Sequence, residues 1–363
     1  MASDTILQAK NLTTVLRTAS GVVRAVDNVS LEVKAGRSLA LVGESGSGKS
    51  MTCMSMMGLL PGNGRLAAGE VYFKGRDITK ISPRELQALR GREIGMILQD
   101  AMTSLNPLFT IGEQVGEVFK YHQGVTDKAE LRRRSIEVLE KVKIPAAEGR
   151  LDSYPFQFSG GMRQRVSIAI NIALSPSLLI CDEPTTALDV TVQLQILKLL
   201  RELQKAQNMA IVFVTHDLHL AAQFCDDVAI MYAGRIVEAG PIADVFARPA
   251  HPYTRGLLKA VPSLESYKRP LTAIPGHQPS LAKLPTGCRF EPRCAYALDV
   301  CRQQYPDWFE WEPSRRCACW RTADSLEDTL APVQGAEQPG GVPQRMRPPV
   351  DVQLAKPGLG AAA

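Results

Sequence analysis

Residues Gly43-Glu44-Ser45-Gly46-Ser47-Gly48-Lys49-Ser50 spell a G-x-x-x-x-G-K-[ST] loop, preceded by the apolar run Leu39-Ala40-Leu41-Val42 and followed by a helix-like segment. Between a strand and a helix, such glycines let successive backbone N–H groups turn inward around a phosphate chain. The helix N-terminus adds partial positive charge. Lys49 then reaches the terminal phosphates, and Ser50 offers its hydroxyl to Mg²⁺. A glycine-rich turn with an exposed lysine would match the loop alone. Far downstream, however, Leu178-Leu179-Ile180-Cys181-Asp182-Glu183 reads as a buried strand ending in two carboxylates, suited to a metal and an attacking water. Together the two stretches point to nucleotide hydrolysis.

A chain of 363 residues has room for two or three structural units. Its net charge of +5 is mild and forms no dense basic stripe, which argues against a nucleic-acid partner. Arg132-Arg133-Arg134 reads as a solvated helix face. The first ten residues lack a basic start followed by an apolar core, and no window supplies the roughly 20 apolar residues of a membrane span, so a cytoplasmic protein is expected. The most apolar stretch, Val166 to Cys181, is interrupted by Ser167, Asn171, Ser175, Pro176 and Ser177 and reads as helix, turn and strand. Eight cysteines in such a protein argue against a disulfide framework. Cys53, Cys181 and Cys225 lie among apolar neighbours as small core residues, whereas Cys288, Cys294, Cys301, Cys317 and Cys319 cluster late in the chain.

Up to about residue 80, short apolar runs such as Val29-Ser30-Leu31-Glu32-Val33 predict strands around the phosphate loop. Ser82-Pro83-Arg84-Glu85 predicts a capped helix start. Residues 103–160 are mostly helical in pattern, with Leu131, Ile136, Leu139 and Val142 on one face of 127–143. Strands and helices alternate from 162 to 245, which predicts an α/β fold with a largely parallel sheet flanked by helices. Residues 246–325 look like an appended module, and the Pro/Gly/Ala/Gln-rich tail from 326 to 363 is expected to be disordered.

Further motifs narrow the chemistry. Ser159-Gly160-Gly161-Met162-Arg163-Gln164-Arg165 is a second glycine turn entering a helix, an anion site suited to a nucleotide held by another subunit. Gln99 follows the strand-like Gly95-Met96-Ile97-Leu98, while Ala187-Leu188-Asp189 and Val214-Thr215-His216-Asp217 follow the acidic strand. In this order the motifs resemble those of the ATP-binding subunits of ABC transporters, over about residues 5–325. The resemblance implies a P-loop ATPase with a RecA-like mixed sheet over residues 1–245, a helical subdomain and a small cysteine-containing C-terminal module. It casts Ser159, Gly160, Gly161 and Gln164 as the signature that closes on a partner's ATP, Asp189 as the D-loop residue and Gln99 as the Q-loop glutamine. Ser50, Gln99 and Asp182 would hold Mg²⁺ and its waters, Glu183 would polarise the attacking water, and His216 would contact the γ-phosphate. Family members usually stack adenine on an aromatic residue before the loop. Here no Phe, Tyr or Trp precedes Tyr72, and Leu16, with Val22 or Val23 as alternatives, stands near that place.

Gln99-Asp100-Ala101-Met102-Thr103-Ser104-Leu105-Asn106-Pro107 and His251-Pro252-Tyr253-Thr254, followed by Ile274-Pro275-Gly276, resemble segments of dipeptide and oligopeptide permease ATPases. Nickel and other small-solute importers share much of this pattern. The resemblance implies a heterodimer with a second, similar ATPase beneath two membrane permease subunits, fed by an extracytoplasmic solute-binding protein, at the cytoplasmic face of the inner membrane. A soluble non-transport ABC ATPase is the rival reading, disfavoured by the single cassette and this C-terminus. The C-x₅-C-x₆-C spacing from Cys288 through Cys294 to Cys301, with Cys317 and Cys319 beyond, favours zinc or an iron–sulfur cluster. Related ATPases carry a [4Fe–4S] cluster on such cysteines. That resemblance favours Cys319 over Cys317 as the fourth ligand.

Overall fold

The chain opens with two 14-residue strands, β1 (Thr5–Thr18) and β2 (Gly21–Lys34), rather than the short ones its broken apolar runs predict. Polar interruptions are absorbed as register shifts between Ala9 and Thr14, where Asn11 and Asn28 take positive φ values of 50° and 54°. Their N–H groups are satisfied by Ser30 Oγ at 2.9 Å and Thr13 Oγ1 at 3.1 Å. Bulges of this kind bend a strand without ending it. β1 also pairs with β4 (Gly64–Phe73), and β5 (Arg76–Asp77) completes an antiparallel sheet in the order β2-β1-β4-β5. This computed structural model describes residues 4–19, 21–99, 104–186, 188–260, 273–312 and 314–323. The expected disordered tail from 326 lies outside them, as do Asp100 to Thr103 and Ala187.

A second, eight-stranded sheet carries the site. Its order is β11-β12-β10-β9-β3-β8-β7-β6. β3 (Ser38–Val42), β6 (Ile94–Ile97), β7 (Leu178–Asp182), β8 (Ala210–Thr215) and β9 (Asp227–Tyr232) run parallel. β10 (Arg235–Pro241), β12 (Arg315–Cys317) and β11 (Phe309–Glu312) follow antiparallel, so the sheet is mixed. Every residue of β3, β7 and β8 is buried, which is why these strands read as continuous apolar runs rather than alternating ones. The carboxyl ends of parallel strands form the crevice in which such sheets bind ligands. Here those ends lead into the phosphate loop (β3), Gln99 (β6), Asp182 and Glu183 (β7) and His216 (β8).

Helices Ile111–Gln123 and Lys128–Lys141 form the helical region, capped by Thr110 with Glu113 and by Asp127. Leu139 and Val142 are fully buried, and Leu131 and Ile136 pack against the same core. Arg133 and Arg134 face outward and pair with Glu130 and Glu137, as a solvated face does. The helix predicted at Ser82 is present over Pro83–Leu89, with a reciprocal Ser82–Glu85 capping box.

The cysteine-bearing segment is joined to the main sheet: Glu238 of β10 pairs with Cys317 of β12, and Ala239 with Arg316. The His251-Pro252-Tyr253-Thr254 element starts helix Pro252–Ala260. Both carboxylate oxygens of buried Glu238 accept N–H groups at its threshold, from Ala250 at 2.8 Å and His251 at 2.9 Å. Among the described residues no helix is long and apolar enough to cross a membrane.

Candidate nucleotide-hydrolysis site

The phosphate loop leaves β3 and enters helix Lys49–Met57 through Gly48, whose φ of 103° is closed to side-chain-bearing residues. A Cβ on Gly43 would stand 2.2 Å from the Met231 carbonyl oxygen, so the loop is held against the β9–β10 hairpin by the absence of a side chain. Lys49 is buried and its Nζ folds over the loop, donating to the carbonyls of Gly43 at 2.9 Å and Glu44 at 3.0 Å. Burial pushes its ammonium pKa down, and the charges of Glu183 and Asp182 only partly offset this. Ser47 Oγ, within the loop, is buried and has no hydrogen-bond partner among the described residues.

Ser50 Oγ donates to Asp182 Oδ1 at 3.0 Å, which joins the loop helix to the acidic strand. Burial raises the Asp182 pKa, and the Ser50 bond opposes the rise. These two oxygens suit a hard cation bound through few protein ligands and its own waters. Ser50, Asp182 and Gln99 would hold Mg²⁺, which neutralises phosphate charge.

Glu183 is the hub of the site. Its Oε2 accepts from Gln99 Nε2 at 3.1 Å and Thr186 Oγ1 at 3.0 Å, and its Oε1 lies 3.3 Å from His216 Nδ1. Burial acts to raise its pKa, but the bonds from His216 and Thr186 and the Lys49 charge outweigh it and hold the carboxyl below its ordinary value. Glu183 also has φ 47°, a strained setting for a side-chain-bearing residue, with its N–H bonded to the Val214 carbonyl at 3.0 Å. An ionised, oriented carboxylate results, as a general base requires. Thr186 was not singled out by sequence: a lone threonine near an acidic strand carries no signal of its own.

Ser159 caps helix Gly160–Ile172, its Oγ accepting from Met162 N–H at 3.3 Å. A Cβ on Gly161 would meet Val192 Cγ1 at 2.7 Å, so the turn packs on helix Val190–Gln207, which Asp189 caps through Val192 N–H at 2.9 Å. Gln164 is buried, and its Nε2 has no hydrogen-bond partner among the described residues. Leu16 lies in β1 opposite Val23 and Gly64, where its Cδ2 would stand 3.0 Å from a Cβ on Gly64.

In the C-terminal segment, Cys288, Cys294, Cys301 and Cys319 line one small cavity; Cys317 does not. Cys301 Sγ accepts the Leu298 N–H at 3.5 Å, and backbone hydrogen bonding partly opposes the rise that burial gives the thiols of Cys288, Cys294 and Cys319. Burial raises the thiol pKa of Cys288 to about 11 and of Cys319 to about 12. No disulfide joins any of the eight cysteines, all of which lie among the described residues. Among the described residues no three His, Cys, Asp or Glu side chains are placed to hold a metal ion, so the geometry gives the expected cluster no ready-made site.

Comparisons with known proteins agree with this architecture. Residues 26–186 match the ABC transporter family and residues 237–301 the oligopeptide/dipeptide transporter C-terminal region. The chain is 48% identical over 324 residues to the oligopeptide transport ATP-binding protein OppD of Salmonella typhimurium, covering 89% of this chain and 96% of that protein. It is 46% identical over 320 residues to the dipeptide transport ATP-binding protein DppD of Lactococcus lactis, covering 88% and 92%. Among solved structures it resembles the dimeric, ADP- and phosphate-bound ATP-binding cassette MJ0796, with TM-score 0.58, 29% identity and coverage of 65% of this chain and 98% of that one. With a cradled lysine, a Ser50–Asp182 pair and a carboxylate hub at the ends of parallel strands, this chain belongs to the ABC transporter ATPase family and hydrolyses ATP.

Proposed function

We propose that this ATPase powers import of dipeptides or oligopeptides through a membrane permease. The observation that carries the reading is the Glu183 hub joined to a C-terminal region of the oligopeptide/dipeptide type. Lys49 and the loop amides bind and neutralise the β- and γ-phosphates, Glu183 orients the water and accepts its proton, and His216 and Gln99 hold Glu183 in place. Ser159, Gly160, Gly161 and Gln164 finish the site of a second, similar ATPase. Helices Ile111–Gln123 and Lys128–Lys141 border a groove of about 900 Å³ lined by Phe109, Tyr121 and Leu131, which suits docking of a permease subunit at the cytoplasmic face of the inner membrane. A solute-binding protein would deliver the peptide. The test is ATPase activity of the membrane-purified complex in proteoliposomes, with and without peptide-loaded binding protein. Peptide-dependent stimulation supports the reading, and indifference to peptide refutes it.

We also propose that Cys288, Cys294, Cys301 and Cys319 hold a [4Fe–4S] cluster, with Zn²⁺ as the alternative. Support comes from the four-sulfur donor set, the shared cavity and the Leu298 N–H bond to Cys301 Sγ. Cys317, in β12 beside Glu238, is the alternative ligand. The residues act as a structural clasp, since they stand apart from the hydrolytic carboxylates.

A further inference from the structure

The phosphate loop is gripped from outside by the C-terminal segment. Arg293 Nη1 donates to Glu44 Oε2 at 2.9 Å and Oε1 at 3.2 Å, with a side chain only 7% exposed. The guanidinium is anchored elsewhere too: Nε bonds the Pro275 carbonyl at 2.9 Å, Nη2 the Ile274 carbonyl at 3.4 Å and Nη1 the Tyr232 hydroxyl at 3.3 Å. Tyr253 OH accepts the Glu44 N–H at 3.0 Å. That ring is fully buried between Tyr232 and Phe290, with centroids 4.6 and 5.4 Å away. Gln278 Nε2 donates to the Gly46 carbonyl at 3.3 Å. Three side chains from residues 253–293 thus hold two residues of the loop, one by its side chain and both by their backbone.

We propose that Arg293 is a positioning residue for ATP, holding the phosphate loop in its nucleotide-binding shape through Glu44, with Tyr253 as its backbone-side counterpart. The physical need is clear. A loop of this kind cradles phosphate on backbone amides only while its backbone keeps one shape, and here Glu44 and Gly46 are the points at which the C-terminal segment holds it. Glycines at 43, 46 and 48 give the loop its freedom and therefore an entropy cost of ordering. A rigid clamp meets that cost before ATP arrives, and preorganisation of this kind appears in affinity. The alternative, a purely structural role in tying residues 274–275 to the core, predicts no dependence on Glu44.

This inference rests on ATP occupying the loop. The experiment measures Mg-ATP affinity of the full chain by calorimetry, and KM and kcat of the membrane-purified complex, for Arg293→Lys, Glu44→Gln, their double variant and Tyr253→Phe. Glu44→Gln leaves the Ile274 and Pro275 contacts intact, so it reads the loop even if an Arg293 variant folds poorly. The expected result is a rise in Kd and KM of about tenfold for Glu44→Gln or Arg293→Lys, the scale of a hydrogen bond to a charged group. kcat stays within about twofold, and the double variant is no worse than either single one. A wild-type chain that binds ATP beside single variants that bind it equally well overturns the clamp alone. A wild-type chain that binds no ATP overturns the nucleotide reading and the clamp with it.

Discussion

Gln99 Nε2 donates to Glu183 Oε2 across 3.1 Å, linking the end of β6 to the end of β7. His216 Nδ1 meets the other oxygen at 3.3 Å from the end of β8. A single carboxylate therefore senses the positions of three strand ends. Glu183→Gln keeps the shape and removes the base. The variant should bind ATP with near-normal affinity and turn over slower by about 10²–10⁴-fold, the usual worth of a general base. Single-turnover hydrolysis alongside ATP titration checks this, and near-normal turnover would refute the role.

Ser159→Arg should separate binding from completion of the site. The side chain caps a helix through Met162 N–H and makes no bond to its own chain's phosphate loop among the described residues. Loss of the cap costs about 1 kcal/mol of stability. ATP affinity of the isolated chain should stay within about twofold, while ATPase activity of the assembled complex falls by more than about tenfold, as expected where a bulky cation replaces an anion-binding turn. Equal losses in both assays would place the turn in its own chain's site.

Cys319→Ser and Cys317→Ser should behave differently. Cys319 lines the cavity with Cys288, Cys294 and Cys301, whereas Cys317, packed with Cys319 and Ala250, does not line it. Anaerobically purified wild-type protein should show absorbance near about 400 nm and bound iron. Cys319→Ser should lose most of both and Cys317→Ser should retain them. Colourless protein with stoichiometric zinc would decide for Zn²⁺, and metal-free protein would remove the cofactor altogether.

Asp27 is buried between Arg235, 2.9 Å away, and Arg289, and ties β2 to the β9–β10 hairpin and the C-terminal segment. Burial acts to raise its pKa, but the arginines outweigh it and hold the carboxyl below its ordinary 3.8. A depressed native pKa gives stability that is complete above pH 3.8 and is lost as pH falls through the native value. Asp27→Asn leaves buried Arg289 and half-buried Arg235 short of a countercharge and should cost about 3 kcal/mol at neutral pH. Thermal melts from pH 7 to 3 should show the difference from wild type narrowing on the acid side. A variant as stable as wild type at pH 7 would refute the role.

The contiguous features were legible in the residues. The phosphate loop, the Ser82–Glu85 capping box, the helix–turn–strand reading of Val166 to Cys181 and the buried Cys53, Cys181 and Cys225 all appear as read. Each depends on neighbours a few positions away, so local spacing and propensity suffice to state it. β1 and β2 were less legible because their bulges, at Asn11 and Asn28, depend on which partner strand supplies the hydroxyls of Ser30 and Thr13.

By itself the sequence determined that a phosphate-binding loop, an acidic strand and a glycine-led helix exist in this order. Local chemistry of backbone amides, carboxylates and caps is written in adjacent residues. Only the tertiary structure decided that Glu183 collects Gln99 and His216, and that Arg293 reaches Glu44 across 249 positions. Hydrogen bonds of about 3 Å between segments so far apart follow from sheet order and packing, and no periodicity along the chain encodes them.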